Sequence, residues 1–257
     1  MRPLWTGSIG FGLVNIPVKL YSATEESNIS FVSLDKHNKS RIRYKKVNEA
    51  TGKEVKQDDI VKAFETGSEY IIMESEDFDK ALPGKKDHID VVQFVDEKEV
   101  DAVYFEKPYY LEPAKGGERA YALLREALKK QGKAALGLFV FHNREWVCLM
   151  KPSDNVLVLN RLRFAEEIRG TEGLVLPTTT VKAEELKMAT TLIGQLTKPF
   201  KPDQFKDEYA EKLTKVIAAK AKGKTGSYKP MKVVHNTATE DLMEKLKASL
   251  KPSKKAS

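Results

Sequence analysis

Three short strand patterns follow one another in the middle of the chain with no helix between them. Residues 138–141, 145–150 and 156–164 are rich in aliphatic and aromatic side chains and are separated by short polar turns. Consecutive strands joined in this way form a meander. A meander buries its apolar face by closing into a barrel or by packing against a second sheet, so the fold must be rich in β-structure.

Further strand patterns precede the meander. In residues 13–21 the apolar side chains of Val14, Ile16 and Val18 alternate with polar neighbours, as in a strand with one buried face. Pro17 cannot donate to a ladder, which predicts an edge or a bulged strand at that point. Residues 69–73 and 89–95 are predicted strands with a short helix at 75–81 between them, and residues 107–113 are an extended segment bracketed by prolines.

Helical periodicity is confined to a few segments. Residues 118–130 carry one apolar stripe and are followed by Gly132, which is typical of a helix end. From position 178 the composition changes, and helices are predicted over 184–196, 207–221 and about 240–250, the last preceded by Thr237 and Glu240 at capping-box spacing. We therefore expect a β-rich core at 1–177, a helical region at 178–230 that could support a dimer, and a terminal helix with a lysine-rich tail at 231–257.

The charge of the chain is large and unevenly distributed. The sequence has 44 basic and 37 acidic residues, for a formal net charge of +7. Residues 63–104 contain twelve acids and four bases, whereas residues 212–232 contain seven lysines and no acid. Such a separation favours a polyanionic partner, although it says nothing about the fold.

A basic ribbon lies at residues 41–56, RIRYKKVNEATGKEVK. Arg41, Arg43 and Lys45 alternate with apolar residues, so a strand would place three cations on one face. Residues 48–52 supply turn-forming side chains and Gly52, which predicts a β-hairpin. Between positions 36 and 57 there are eight basic residues against two acids. The candidates for contacts with phosphates, and so for DNA binding if the partner is a duplex, are Lys36, Lys39, Arg41, Arg43, Lys45, Lys46, Lys53 and Lys56.

Two interpretations of the ribbon are open from the local pattern. It could be a cationic arm laid along phosphates. It could equally be a solvated edge hairpin, whose lysines and arginines only prevent edge-to-edge aggregation.

No catalytic or metal site is indicated. The single cysteine, Cys148, lies in an apolar run and is expected to be a buried, inert thiol. The four histidines show no ligand spacing, and Gly223–Thr225 lacks the earlier glycine of a phosphate-binding loop, because position 218 is Ala218. We therefore expect neither enzymatic activity nor a metal or other cofactor.

The sequence also bears on where the protein works. Its amino terminus lacks a basic-then-apolar signal peptide, and no apolar run approaches the length of a membrane span. We expect a cytoplasmic, nucleoid-associated protein that does not engage a membrane.

Several long strings of residues resemble the bacterial Ku family. They are LWTGSIGFGLVNIPVKLYSAT near the start, RIRYKKV with its return strand, YFEKPYYLEP with AYALLREAL, LNRLRFAEEIR and the terminal LMEKLKASL. Together they span nearly the whole chain. The resemblance implies a mixed β+α fold: a Ku-type β-barrel core with an extended bridging β-arm at about residues 36–67, followed by C-terminal helices.

The resemblance also implies a function. Ku proteins are homodimers whose arms close a ring around double-stranded DNA ends during non-homologous end joining, and they recruit DNA ligase D. The residues that match the partner-recruiting terminus are Leu242, Met243, Leu246 and Leu250. The lysine-rich tail that could contact DNA matches Lys251, Lys254 and Lys255.

The chain departs from some relatives in the ribbon. Those relatives carry paired cysteines that resemble a zinc knuckle, whereas residues such as Asn48 and Thr51 stand there in this chain, so no metal is expected. Two other classes of function stay open: a general DNA-compacting protein that binds circles and linear DNA alike, and a subunit of a nuclease or ligase with chemistry of its own.

Overall fold

The computed structural model describes residues 1–81, 87–223 and 242–250. Seven strands of this described chain close into one barrel in the order β1-β2-β6-β9-β8-β7-β5. Their bounds are β1 (Trp5–Phe11), β2 (Val14–Ser22), β5 (His88–Val95), β6 (Phe105–Pro113), β7 (Ala134–Phe141), β8 (Arg144–Ser153) and β9 (Val156–Leu162). A separate two-stranded sheet pairs β3 (Lys62–Thr66) with β4 (Glu69–Met73).

Closure of the barrel depends on β1. This strand pairs antiparallel with β2, from Trp5 opposite Leu20 to Phe11 opposite Val14. On its other side it pairs parallel with β5, where Ile9 lies opposite Ile89. The remaining neighbours in the barrel are antiparallel. The meander predicted from the sequence is confirmed as β7-β8-β9.

The barrel interior is the hydrophobic core of the protein. Alternate residues of the strands point inward, for example Ile16, Val18 and Leu20 on β2, all of which are fully buried. Four aromatic rings pack at one end of the interior, where Trp146 makes edge contacts with Phe139 and Phe141 and a tilted contact with Tyr109. Cys148 is buried, as expected, and burial raises the pKa of its thiol to about 12.

The helices of the described chain are α1 (Ser75–Ala81), α2 (Glu118–Gln131), α3 (Ala183–Leu196), α4 (Glu208–Ala221) and α5 (Leu242–Leu250). Helix α2 ends at Gly132, whose φ of 62° accepts the left-handed turn that stops the helix. It buries Tyr121, Leu124 and Leu128 against the barrel. None of the described helices is both long and apolar enough to cross a membrane.

Tyr121 joins α2 to two strands of the barrel. Its buried hydroxyl donates to the Leu111 carbonyl at 2.6 Å and accepts from the Leu157 amide at 2.7 Å. Leu111 and Leu157 are the last register pair of β6 and β9, so the tyrosine hydroxyl satisfies one buried backbone group of each strand where their ladder ends.

The edge predicted at Pro17 is confirmed only locally. β2 is an inner strand that lies between β1 and β6, but at Pro17 it pairs with Ser8 of β1 alone. The proline is tolerated because the ladder between β2 and β6 begins only at Val18, opposite Pro113. On the β6 side, the ladder has not yet begun at Pro17, so the missing amide of the proline removes no hydrogen bond from it. The Pro17 carbonyl on this side accepts from the Ala114 amide at 2.9 Å.

The chain divides into two compact units, Met1–Thr171 and Glu172–Ser257. The first contains the barrel and every buried hydrophobic residue of the described chain, from Ile9 to Leu162. In the second unit α3 and α5 are in contact, but none of the described residues is buried. This unit therefore has no hydrophobic core of its own in the described chain.

Replacing Tyr121 by phenylalanine tests the hydrogen bonds that join α2 to the barrel. The substitution leaves the Leu111 carbonyl and the Leu157 amide buried without their partner, so the free energy of unfolding should fall by about 1–3 kcal/mol. Urea denaturation, monitored by circular dichroism, measures this free energy of unfolding. Tyr110→Phe, an exposed tyrosine of β6, is the control and should change stability little. Equal stability of the two variants would contradict this role of Tyr121.

Candidate nucleic-acid interface

The chain between β2 and β5 leaves the barrel. This excursion contains the β3-β4 sheet and helix α1, and its residues 36–67 are the arm predicted from the sequence. All residues of the arm except Val55 are exposed. The arm therefore contributes nothing to the barrel core, and its side chains are available to another molecule.

Two tight turns shape the arm. In the first, the Asp35 amide donates to the Ser40 carbonyl at 2.8 Å, and Leu34 forms an isolated bridge with Arg41. In the second, the Asn48 amide donates to the Lys53 carbonyl at 2.8 Å, and an isolated bridge joins Val47 to Glu54. Residues 34–54 are thus a succession of two very short hairpins.

The second turn is the one that the sequence predicted. Gly52 has a φ of 66° and its amide donates to the Asn48 carbonyl at 2.8 Å. The Asn48 side-chain oxygen accepts from the amide of Thr51 at 3.0 Å and from its hydroxyl at 3.2 Å. Side chains of Asn and Thr therefore close this turn with hydrogen bonds.

The regular strand expected over residues 41–45 is not formed. These residues make no continuous ladder, and only Arg41 takes part in a bridge. Alternation of side chains favours a strand, but a strand needs a neighbour along its length, and an exposed two-stranded ribbon gains little from pairing. The alternation of Arg41, Arg43 and Lys45 therefore does not fix them on one face of a sheet.

All eight predicted DNA-binding residues are exposed and belong to the arm. The first turn and its bridge carry three of them, the stretch between the turns carries Arg43 and Lys45, and the second hairpin carries the rest. The full set is Lys36, Lys39, Arg41, Arg43, Lys45, Lys46, Lys53 and Lys56.

Some of these cations have local partners. The Lys45 ammonium lies 2.5 Å from the Glu54 carboxylate, and the Lys46 ammonium donates to the Gln57 side chain at 2.8 Å. The Lys39 ammonium donates to the Lys36 carbonyl at 2.9 Å. Because the Lys45–Glu54 pair is exposed, water screens it and it costs little to exchange for a phosphate.

Among the residues that the structure describes, no group of three or more His, Cys, Asp or Glu could hold a metal ion. In the ribbon, Asn48 and Thr51 use their polar groups on each other and on the backbone of the turn. Hydrogen bonds, and no metal–thiolate bonds, therefore hold the turn at residues 48–52.

The predicted partner-binding residues lie on α5. Met243, Leu246 and Leu250 are each half-buried, and α5 is in contact with α3. Leu242 is the first residue of this helix. The lysines of the tail, Lys251, Lys254 and Lys255, and the capping-box pair Thr237 and Glu240 lie outside the described residues.

Sequence reasoning missed a group of apolar side chains that accompany the cations. Phe31, Phe64, Tyr70, Ile71 and Ile72 are exposed, as is Tyr44 at 93%. A signal was present in residues 70–72, where three consecutive apolar side chains do not alternate. Such a run is typical of a strand covered on both faces, and this chain alone covers neither.

Comparison with known proteins shows which family the chain resembles. The family model described as "Ku70/Ku80 beta-barrel domain" matches residues 10–188. A protein from Coxiella burnetii named "Non-homologous end joining protein Ku" is 40% identical across 99% of this chain and 96% of its own length. Proteins of the same name from Pseudomonas aeruginosa and Archaeoglobus fulgidus are 36% and 38% identical, covering 97% and 99% of this chain and 88% and 100% of their own lengths.

A closed β-barrel that carries a long, exposed cationic arm defines the class of this protein. The chain belongs to the Ku family.

Proposed function

We propose that this protein binds the ends of double-stranded DNA, without regard to sequence, as a ring-shaped homodimer in non-homologous end joining. The observation that carries the proposal is the exposed arm with its eight cations on a chain of the Ku family. Its relatives are named for the same pathway. Such a protein works in the cytoplasm, at the nucleoid.

Phosphate contacts account for the affinity in this proposal. Lysine and arginine that replace condensed counterions bind any duplex, because the phosphate backbone is the same in every sequence. If about six phosphates are neutralised by each arm, log K falls with log salt with a slope of about −5 per arm. The cations of the tail, Lys251, Lys254 and Lys255, would add contacts of the same kind.

Exposed apolar residues support the homodimer. The arm and the β3-β4 sheet expose Phe64, Tyr70, Ile71 and Ile72, and the second unit has no buried residue among those described. Leaving so much apolar surface in water is unfavourable, and contiguous patches of this kind are typical of protein–protein interfaces. A second copy would cover these residues and bring two cationic arms together into a closed ring.

Recruitment of DNA ligase D is assigned to α5. Its stripe of Met243, Leu246 and Leu250 has the spacing by which an amphipathic helix fills an apolar groove of a partner. The same stripe is only half-covered here, so apolar surface is left for the ligase. The alternative is that α5 serves only to cap the protein's own α3.

Charge reversal in the arm tests the phosphate contacts. Arg41→Glu, Arg43→Glu and Lys45→Glu together should weaken binding to a linear duplex by about tenfold or more at moderate salt and reduce the salt slope by about 3 per arm. Fluorescence anisotropy over a salt series measures both. The control reverses three exposed barrel-unit cations, Lys98, Lys115 and Lys129, which changes the net charge equally. Unaltered binding by the arm variant would refute the assignment.

Threading onto ends distinguishes a ring from a general DNA-compacting protein. A closed ring can load only at a free end, so a sealed circle should compete far less well than the same duplex after linearisation. A mobility-shift competition with the two forms, matched in length and sequence, measures the difference. Equal competition would exclude threading and favour the compacting protein.

Truncation separates the two roles of α5. A chain ending at Met231 should keep its binding to DNA ends but lose stimulation of ligase D in an end-joining assay with DNA saturated by protein. A chain ending at Leu250, which removes only the lysine-rich tail, is the matched control and should still stimulate the ligase. A lowered melting temperature with stimulation retained would show that α5 only caps α3.

A further inference from the structure

A second apolar surface lies on the barrel unit, away from the arm. It is a groove of about 600 Å³ between α2 and the strands β1, β2 and β5. Its walls include Phe11, Val14, Phe94, Leu123, Leu124 and Ala127. The polar side chains that line it are Gln131 and Lys133, both near the end of α2.

The groove is outside the core. Helix α2 presses one face against the barrel, with Leu124 and Leu128 buried. A second apolar face of the same helix looks outward, and Leu123 is 71% exposed. Across the groove, Phe94 is also exposed and meets Phe11 edge-on, with ring centroids 6.3 Å apart. A contiguous exposed patch of this kind marks an interaction site.

The lining fits a helix better than a small molecule. Pockets for small ligands combine an apolar wall with several convergent polar groups that fix orientation, and here the polar lining is restricted to one end. Ala120 and Ala127 keep the α2 side of the groove low, one helical turn on either side of Leu123. Small residues around a protruding leucine let a second helix approach closely and interdigitate.

The charges beside the groove select an acidic occupant. Arg119 and Lys130 are exposed and stand at i−4 and i+7 from Leu123, so they share its side of α2 and lie about 16 Å apart along the helix. Glu126, at i+3 from Leu123, is paired with Arg125 at 2.7 Å, and Lys133 of the groove lining is paired with Asp96 at 2.8 Å. Two cations therefore flank the exposed leucine.

We propose that this groove binds an amphipathic helix of another protein, whose aliphatic side chains fill it and whose flanking carboxylates pair with Arg119 and Lys130. Apolar anchors at i, i+3, i+4 and i+7 satisfy such a groove. The cationic arm attracts an acidic helix as well, so binding to the groove is measured with the arm already occupied by DNA. The groove is a surface additional to the DNA-binding and ligase-recruiting roles proposed above.

A fluorescent synthetic helix tests the proposal on the full-length protein. The probe is an alanine-rich peptide of about 15 residues, or about four helical turns, with a leucine stripe flanked by glutamates. A second peptide has lysines in place of the glutamates. Anisotropy should show saturable binding of the acidic peptide that persists when a DNA duplex saturates the arm. The basic peptide, measured without DNA, should bind more weakly.

Variants of α2 locate the site. Leu123→Glu places a negative charge in the groove at an exposed position. It should weaken binding of the acidic peptide by about tenfold or more. Lys130→Glu should weaken it by about two- to fivefold, as expected for a rim ion pair. Lys129→Glu is the matched control, since it makes the same charge change at the neighbouring position, which faces away from Leu123, and it should leave binding unchanged.

Three results would overturn the proposal. One is the absence of peptide binding to the unmodified protein. Another is equal weakening by Lys129→Glu and Lys130→Glu, which would show only a general effect of charge. The third is a change in the sedimentation coefficient of the protein on Leu123→Glu, which would show that a second copy of this chain covers the groove.

Discussion

The parallel pairing of β1 with β5 is the constraint on which the rest of the structure depends. Strands in a closed sheet cannot alternate in direction all the way round when their number is odd, so a barrel of seven described strands needs one parallel pair. Glycines also let both neighbours of β5, the parallel β1 and the antiparallel β7, lie close to it. A Cβ atom on Gly10 would lie 2.2 Å from the His88 ring, and one on Gly137 would lie 2.8 Å from the Asp90 carbonyl oxygen. Glycine at these two positions therefore lets β1 and β7 pack against β5 without a steric clash.

The same pairing determines where the arm leaves. Because β1 is antiparallel to β2 and parallel to β5, the end of β2 and the start of β5 lie at the same end of the barrel, on either side of β1. The two roots of the excursion therefore lie on either side of β1, the β2 root beyond the pair Trp5–Leu20 and the β5 root at the pair Ser8–His88. A rigid barrel thus fixes both roots, while the arm itself is shaped only by its own turns. This arrangement keeps eight cations in water and outside any core.

Elements with local periodicity could be predicted from the sequence, whereas contacts between distant segments could not. The helix at residues 75–81 and the strand at 69–73 were predicted with the bounds that the structure gives. β3 was missed, because Lys62–Thr66 shows little alternation and is a strand through its pairing with β4. The parallel closure and the inner position of β2 depend on residues far apart in sequence, and no local pattern reports them. In the arm, the turn at Asn48 and Gly52 was predictable from its own chemistry, but the strand at 41–45 lacked the neighbour that pairing needs.

The turn at Asn48 is closed by oxygen and nitrogen groups alone, and this has a consequence for redox chemistry. Thiolates that hold a metal are lost to peroxide by stepwise oxidation, and the metal leaves with them. An amide and a hydroxyl have no such reaction, so the shape of this arm is insensitive to oxidants and to chelators. The chain's one thiol, Cys148, lies in the barrel interior with its pKa raised to about 12, where almost none of it is present as the reactive thiolate.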